Sequence, residues 1–344
     1  MERVGVLLFS FLALAMSLQV GFLWAAVTLP PEDEPLDRHF YKKPNATCPN
    51  VDDFVRHQVT LFWMQDKSIT AKLFKLLYAD SMVNGCDASI LLDGKNTEKK
   101  SPLNAGLGEK IFILIDKIKT VVEQRCPGVV SCADILNLAT RDAAHLAGAP
   151  SYPVFLGRRD GFGSSAAWVD YPSPSSSWAT VQNYAISKGL DQQDLVTLLG
   201  AHTMGTTHCQ YIRDRLYNFN NTGKPDPKMD KSLLKTLRNQ CPQTTTKGTN
   251  DPVVYLNPKN GPKYEFTNNY YKGVKSYKAV LGIDQQQMWG NYSFVDAYAK
   301  SFEAFRQEFA LSISRMGGLK VLTGTNGEIR KNCRVTNRNN PSIK

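Results

Sequence analysis

Apolar residues return every three or four positions through most of this chain, and that period limits its fold more than any other feature. Over residues 51–62 they fall at Val51, Phe54, Val55, Val59 and Phe62, the single stripe of an amphipathic helix. Residues 69–79 give a second, more apolar helix. A third, over 111–122, carries Ile111, Leu114, Ile115, Ile118, Val121 and Val122 on one side. A fourth, over 133–146, follows Ser131, a suitable cap. Later helices are predicted over 191–201, 231–238, 267–280 and 294–316. In the last of these, Tyr298, Phe302, Phe305, Phe309 and Ile313 recur at spacings of 4, 3, 4 and 4. Between 152 and 177 the pattern dissolves into Gly, Pro and Ser, which predicts a long ordered surface loop. Strand signals are few and short, so the fold class is mostly α.

The N-terminus bears on the compartment. Glu2 and Arg3 lead into an apolar run over 4–29, and Ala25 and Ala26 precede Pro30, Pro31 and an acidic stretch. This predicts a secretory signal peptide over residues 1–26 and an N-terminal extension over 27–39. An uncleaved anchor would read the same way, because the run is long enough to span a bilayer. No second stretch of that length follows. The 344 residues leave room for two domains or one large one. With 42% hydrophobic and 21% charged residues, wholesale disorder is excluded. Sequons at Asn45, Asn220 and Asn291 fit secretion. Seven cysteines in an oxidising compartment predict disulfides, and the odd number leaves one thiol without an intramolecular partner. A net charge of +10 favours acidic surroundings, of which an acidic wall polysaccharide suits a secreted chain. Nucleic acid is disfavoured by the secretory route and by the lack of a reader motif. Gly108, Gly128 and Gly148 stand alone and form no phosphate-cradling loop.

Three features carry chemistry. The stretch from Asp80 through Val83, Gly85, Asp87 and Ser89 is a short loop rich in oxygen ligands, as a hard cation such as Ca²⁺ requires. A capped turn, with both Asp side chains bonded to local amides, would look similar. His202 ends an apolar helix in Leu198-Leu-Gly-Ala-His202-Thr203, where a satisfied core histidine and a ligand are alternatives. Asp284 sits in an apolar setting of its own. A buried Asp needs a partner, and an imidazole N–H is one natural choice.

The order of segments resembles the plant secretory, or class III, haem peroxidases over residues 40–337, leaving 338–344 as a tail. The matching stretches are Phe40-Tyr41, Thr47-Cys48-Pro49, Val83-Asn-Gly-Cys-Asp-Ala-Ser-Ile-Leu-Leu92 and Cys126-Pro-Gly-Val-Val-Ser-Cys132-Ala-Asp134. Further on come Leu156-Gly-Arg-Arg-Asp160-Gly, Pro172-Ser-Pro174, Gly200-Ala-His-Thr203, Glu328-Ile-Arg330 and Cys333-Arg. The resemblance implies a helical fold with two lobes sandwiching haem b, and pairings of Cys48 with Cys126, Cys132 with Cys333 and Cys209 with Cys241. A fourth family bridge closes the loop of the distal calcium. Here Ser81 replaces its first cysteine, leaving Cys86 as the orphan, read as a buried free thiol. The resemblance makes His202 the axial iron ligand and Asp284 the acceptor of its other N–H. It also makes Asp80, Val83, Gly85, Asp87 and Ser89 the ligands of the distal Ca²⁺. Thr203 matches a proximal Ca²⁺ ligand. Thr267 stands where the family has Asp, however, and Gly261 near its hydroxyl ligand, so a tight proximal site is not expected. Pro172 matches the site that binds small phenolic donors through its carbonyl.

One departure bears on activity. In the family the helix before the calcium loop carries an Arg and, four residues later, a His, which one helical turn places on the same face. That His takes up and returns the proton of H₂O₂, while the Arg steadies developing charge. Here Lys75 takes the Arg position and Ala79 the His position. Ala79 has no titratable group, and Lys75 lacks the planar fork of Arg. Asn104 matches the residue that orients the missing His, and Glu98 its companion. Tyr78 stands at a family aromatic, and His39, His57, His145 and His208 all lie off this helix, so no substitute is expected. Three readings follow: a slow, secreted, monomeric peroxidase, a haem-binding pseudoenzyme of the cell wall, or a structural glycoprotein without haem. Impaired peroxidase or pseudoenzyme is the expectation, in an extracellular, wall or vacuolar setting.

Overall fold

A computed structural model describes residues 36–44, 47–244 and 250–343. The predicted signal segment and the sequon at Asn45 lie outside these residues. The helical elements are α1 (Val51–Gln65), α2 (Ile69–Ser81), α3 (Glu109–Arg125), α4 (Cys132–Leu146), α5 (Trp178–Lys188) and α6 (Gln192–Leu199). They continue with α7 (Arg213–Tyr217), α8 (Lys231–Gln240), α9 (Asn269–Lys275), α10 (Gly282–Gly290), α11 (Tyr292–Lys300) and α12 (Phe302–Gly317). Among the described residues the only sheet pairs β1 (Thr206–His208) with β2 (Val253–Tyr255), antiparallel, Thr207 opposite Val254. The fold is mostly α, as the periodicity predicts.

The early helices form where their stripes predict them. Ser131 caps α4 by accepting from the Asp134 amide. α1 and α2 both pack on α4, and the apolar sides of these helices close the main core. At the other end the prediction fails in an instructive way. The stripe over 294–316 is two helices, because Ser301 is extended at φ −122° and ψ 111° and caps α12 through the Ala304 amide at 3.0 Å. The 4-3-4-4 spacing runs across the break because α11 and α12 bury their aromatic residues in one cluster. The helix predicted over 267–280 spans only seven residues, and Tyr277 beyond it has φ 60°. Three helices, α5, α7 and α10, were hidden by short lengths and polar faces. The loop over 152–177 is as predicted, apart from one 3-10 turn at Ala166–Trp168.

An aromatic column ties the parts together. Phe74 of α2 meets Phe309 of α12 at 5.3 Å between centroids, and Phe266 stacks on Phe305 at 4.8 Å. Tyr271 of α9 crosses Phe305 at 4.9 Å. Such pairs add roughly 0.5–1.5 kcal/mol each beyond their burial, and they fix α2 relative to the segment after α6. A smaller satellite core gathers Ile212, Leu216, Leu233, Leu237, Val254 and Ile283 around the Cys209–Cys241 bridge. The pairings Cys48–Cys126 and Cys132–Cys333 are also formed.

Candidate functional site

α6 ends at Leu199 and passes into a 3-10 turn, Gly200–Thr203, that carries His202. A Cβ at Gly200 would lie 2.4 Å from the Tyr271 hydroxyl and 2.5 Å from the Phe305 ring, so only glycine lets the turn press into the aromatic column. His202 Nδ1 lies 2.9 Å from Oδ1 of Asp284, which is wholly buried in the first turn of α10. A carboxylate only accepts, so Nδ1 is the donor of this pair, and in the neutral imidazole the lone pair is then on Nε2. The His202 side chain remains 30% exposed. The structure thus brings together the two residues that the family resemblance pairs.

Two further groups join them that sequence reasoning missed. The Tyr270 hydroxyl donates to the same Oδ1 of Asp284 at 2.8 Å. Gln287 Nε2, one turn along α10, donates to that hydroxyl at 2.6 Å. Two donors on one oxygen fix the carboxylate and, through it, the imidazole plane. Nothing local in the sequence marks Tyr270, because its partner lies 14 residues away.

On the other side, α2 presents Lys75 and, one turn later, Ala79. Lys75 Nζ lies 4.6 Å from the Tyr171 ring and 5.0 Å from the Tyr78 ring. It makes no ion pair among the described residues, and burial lowers its pKa to about 8. Tyr171 is buried and donates to the Ala79 carbonyl at 2.9 Å, one of the carbonyls that a helix end leaves free. Tyr171 is a second missed residue, visible only as an aromatic just before Pro172. Asn104 Nδ2 donates to the Glu98 carbonyl at 3.0 Å, and its buried Oδ1 has no partner among the described residues. An acceptor in that position suits the imidazole N–H that Ala79 lacks. Pro172 follows Tyr171 and is half-buried. His39, His57 and His145 are exposed, and His208 is on β1, so no other imidazole stands on α2.

Beyond Ala79 the oxygen-rich loop turns at Gly85, φ +110°, where a Cβ would meet the Lys320 carbonyl at 2.4 Å. Asp80 Oδ2 accepts from the Ala88 amide at 3.0 Å and Asp87 Oδ1 from the Ser89 amide at 2.9 Å. These are the bonds of a capped turn, yet they leave charge uncovered. Asp80, Asp87 and Glu98 are all buried, and burial raises the pKa of each, Glu98 to about 7. Both Glu98 oxygens and Ser89 Oγ lack a hydrogen-bond partner. The nearby Arg330 spends its guanidinium on the Ala88, Gly161 and Cys333 carbonyls. The orphaned Ser89 hydroxyl and the buried charge of Asp80 and Asp87 suit a cation's chemistry, although among the described residues no three acids converge as a metal cluster. The Lys188 ammonium lies 3.5 Å from the Val83 carbonyl. On the His202 side, Thr203 Oγ1 meets Thr267 Oγ1 at 3.1 Å with no carboxylate, and these groups do not fit calcium.

Cys86 is the free cysteine and is buried; its sulfur lies 2.8 Å from Ser81 Oγ and 3.2 Å from the Met316 carbonyl, and burial pushes the thiol up to about 12. That makes it inert rather than reactive. Of the two remaining sequons, Asn220 is exposed, whereas Asn291 is 7% exposed with its amide nitrogen buried, so of these two only Asn220 is open to solvent. No helix among the described residues is long and apolar enough to cross a membrane.

Residues 51–304 match the family model described as Peroxidase. Probable peroxidase 61 of Arabidopsis thaliana is 58% identical over 303 residues, 88% of each chain. Probable peroxidase 26 of the same plant is 56% identical over 314 residues, 91% of this chain and 93% of its own. The lignin-forming anionic peroxidase of Nicotiana tabacum is 40% identical over 301 residues, covering 85% of this chain and 91% of that one.

Proposed function

The chain belongs to the peroxidase family, among its plant class III members, and from that premise we propose that it is a secreted haem protein in which peroxide activation is strongly impaired. Haem b, when bound, would supply the redox iron that reacts with H₂O₂. His202 would hold it through Nε2, with Asp284 and Tyr270 fixing the ring through Nδ1. The free Nε2 opposite an anchored Nδ1 is the donor arrangement such a group needs.

The observation that carries the impairment is at Ala79. The group in reach of that position is the Tyr171 phenol, which is turned onto the Ala79 carbonyl and held far from ionisation by burial. It offers no exchangeable base near neutral pH. Removing an acid–base group costs on the order of 10²–10⁴ in rate, and replacing the planar Arg fork by an ammonium costs more. Lys75 keeps positive charge at the cleft, packed over two phenol rings, and so can still attract a small anion. Pro172 leaves donor binding intact in principle, and the family's phenolic donors are the substrate class that fits. The loop from Asp80 to Ser89 would bind Ca²⁺, whose charge offsets its buried acids.

A second reading is a pseudoenzyme that acts by binding in the cell wall. The +10 charge favours it, and retention on polygalacturonate that falls with added salt would support it. Retention unaffected by salt would remove that partner. Secretion and a monomeric state belong to the same proposal.

Stopped-flow absorbance of the haem-loaded protein with H₂O₂ tests the main reading, beside an Ala79→His, Lys75→Arg variant. The expected result is a slow Soret shift in the native chain and a fast one in the variant. A fast shift in the native chain would make it a working peroxidase. Failure to load haem would leave the structural glycoprotein.

A further inference from the structure

The loop facing Thr203 is not a damaged metal site. Its oxygens are already satisfied. Asn260 is 4% exposed and stands just before the 3-10 turn Gly261–Lys263. Its Nδ2 donates to the Thr203 carbonyl at 2.9 Å and to the Glu265 carbonyl at 2.6 Å, which uses both amide hydrogens. Asn257 Nδ2 approaches Thr203 Oγ1 at 3.5 Å, and Thr203 Oγ1 pairs with Thr267 Oγ1 at 3.1 Å. The Asn269 amide reaches Thr267 Oγ1 at 3.4 Å. A calcium ion needs free oxygen lone pairs, usually with carboxylates among them. Here amide hydrogens already occupy the carbonyls that converge, and Glu265, the acid in the loop, turns its side chain to solvent.

We propose that Asn260 takes the place of a metal ion beside His202, clasping the Thr203 and Glu265 carbonyls and so fixing the backbone that carries the axial imidazole. The clasp rests on the reading that His202 is the iron ligand only for its second half. The absence of a cation follows from the hydrogen bonds alone. Asp284 anchors the ring, while Asn260 anchors the peptide immediately after it. Asn260 is thus a positioning residue, acting through His202. The neutral clasp cannot be opened by a chelator, so the two sides of the cleft should answer metal removal differently.

The test counts calcium bound per chain by mass spectrometry of the full protein, with and without haem, and follows the iron–histidine stretch by resonance Raman. The native chain is expected to hold at most one ion, lost in Asp87→Asn, or in Ser89→Ala should that variant fail to fold. Chelation should leave the iron–histidine stretch unmoved. Asn260→Leu, which keeps the volume but drops both donors, should shift the stretch without changing the metal count. Asn260→Asp turns a carboxylate on two carbonyls, so it should gain about one calcium and become chelator-sensitive. Two ions in the native chain, or one that survives Asp87→Asn, would overturn the metal-free clasp. An unchanged stretch in Asn260→Leu would overturn its positioning role. A chain that binds no haem at all would sink the functional reading, while the metal count still decides the clasp.

Discussion

The His202 side and the α2 side differ in opposite ways. On the His202 side, the hydrogen-bonded pair at the proposed iron ligand is complete, and Tyr270 and Gln287 support it, whereas the Asn260 amide spans the Thr203 and Glu265 carbonyls. On the α2 side, the loop holds buried acids and an orphaned hydroxyl, whereas position 79 carries only a methyl group. Ligand-holding chemistry and metal-holding chemistry are therefore separable in this fold. Each can be lost while its neighbour persists, because each side closes its own hydrogen bonds. Asn104 shows the limit of that closure. Its Oδ1 is buried without a donor, and an unpaired acceptor costs roughly 1–3 kcal/mol. On the proposed reading, the α2 side lacks a histidine at Ala79 but has the group that would orient one.

The largest effect should come from restoring that histidine. In the haem-loaded protein, Ala79→His is expected to raise the rate of the Soret change with H₂O₂ by about 10²–10⁴. Adding Asn104→Leu should return part of that gain, because the new imidazole would lose its acceptor. No gain from Ala79→His would mean that the α2 side differs from a working site by more than this residue. On the opposite side, Asp284→Ala leaves the Tyr270 hydroxyl and His202 Nδ1 without an acceptor. Haem affinity, read by titration, should fall about 10–100-fold. An unchanged affinity would mean that the pair is not what holds the ring.

Lys75 gives a smaller, pH-dependent difference between the sides. Burial lowers its pKa from 10.5 to about 8. The groups facing it are the rings of Tyr78 and Tyr171, with no acid to favour the charged form. Between those two values the unfolded chain holds a proton that the folded chain has released. Stability of the haem-free protein should therefore rise with pH across that window from this residue, and its burial cost is fully present below pH 8. Lys75→Met should remove that rise and stabilise the protein at pH 7, as followed by urea unfolding at several pH values. Equal slopes in the two proteins would place the ammonium in water rather than against the phenols.

How far these features were legible depended on how local they are. The stripes of α1 to α4, the three disulfides and the lone Cys86 depend on spacing or on ordered motifs, and all are found. The break at Ser301 was not, because one serine inside a continuous aromatic period weighs less than the period itself. His202 and Asp284 were paired by the family resemblance, which names one of the partners that a buried acid could take. Tyr270, Tyr171 and Asn260 were invisible because their roles come from contacts 14, 92 and 57 residues away. Their residue types are ordinary at those places. Only the packing of α9 against α10, and of the long loop against α2, gives them a site.

Cys86 supplies the smallest and cleanest test of the α2-side loop. Its sulfur already lies 2.8 Å from Ser81 Oγ, so Ser81→Cys should close a bridge with little backbone movement. A ring this short removes limited chain entropy, worth about 2 kcal/mol on the loop-closure relation. Thiol titration should count no free cysteine, and the urea midpoint should rise accordingly. The metal then sharpens the comparison. If the cation organises the loop, the bridge should add less stability in Ca²⁺ than in chelator, since both restrain the same residues. If the gain is equal in both, the acids of this loop are held by their backbone amides alone, and the α2 side resembles the metal-free clasp after all.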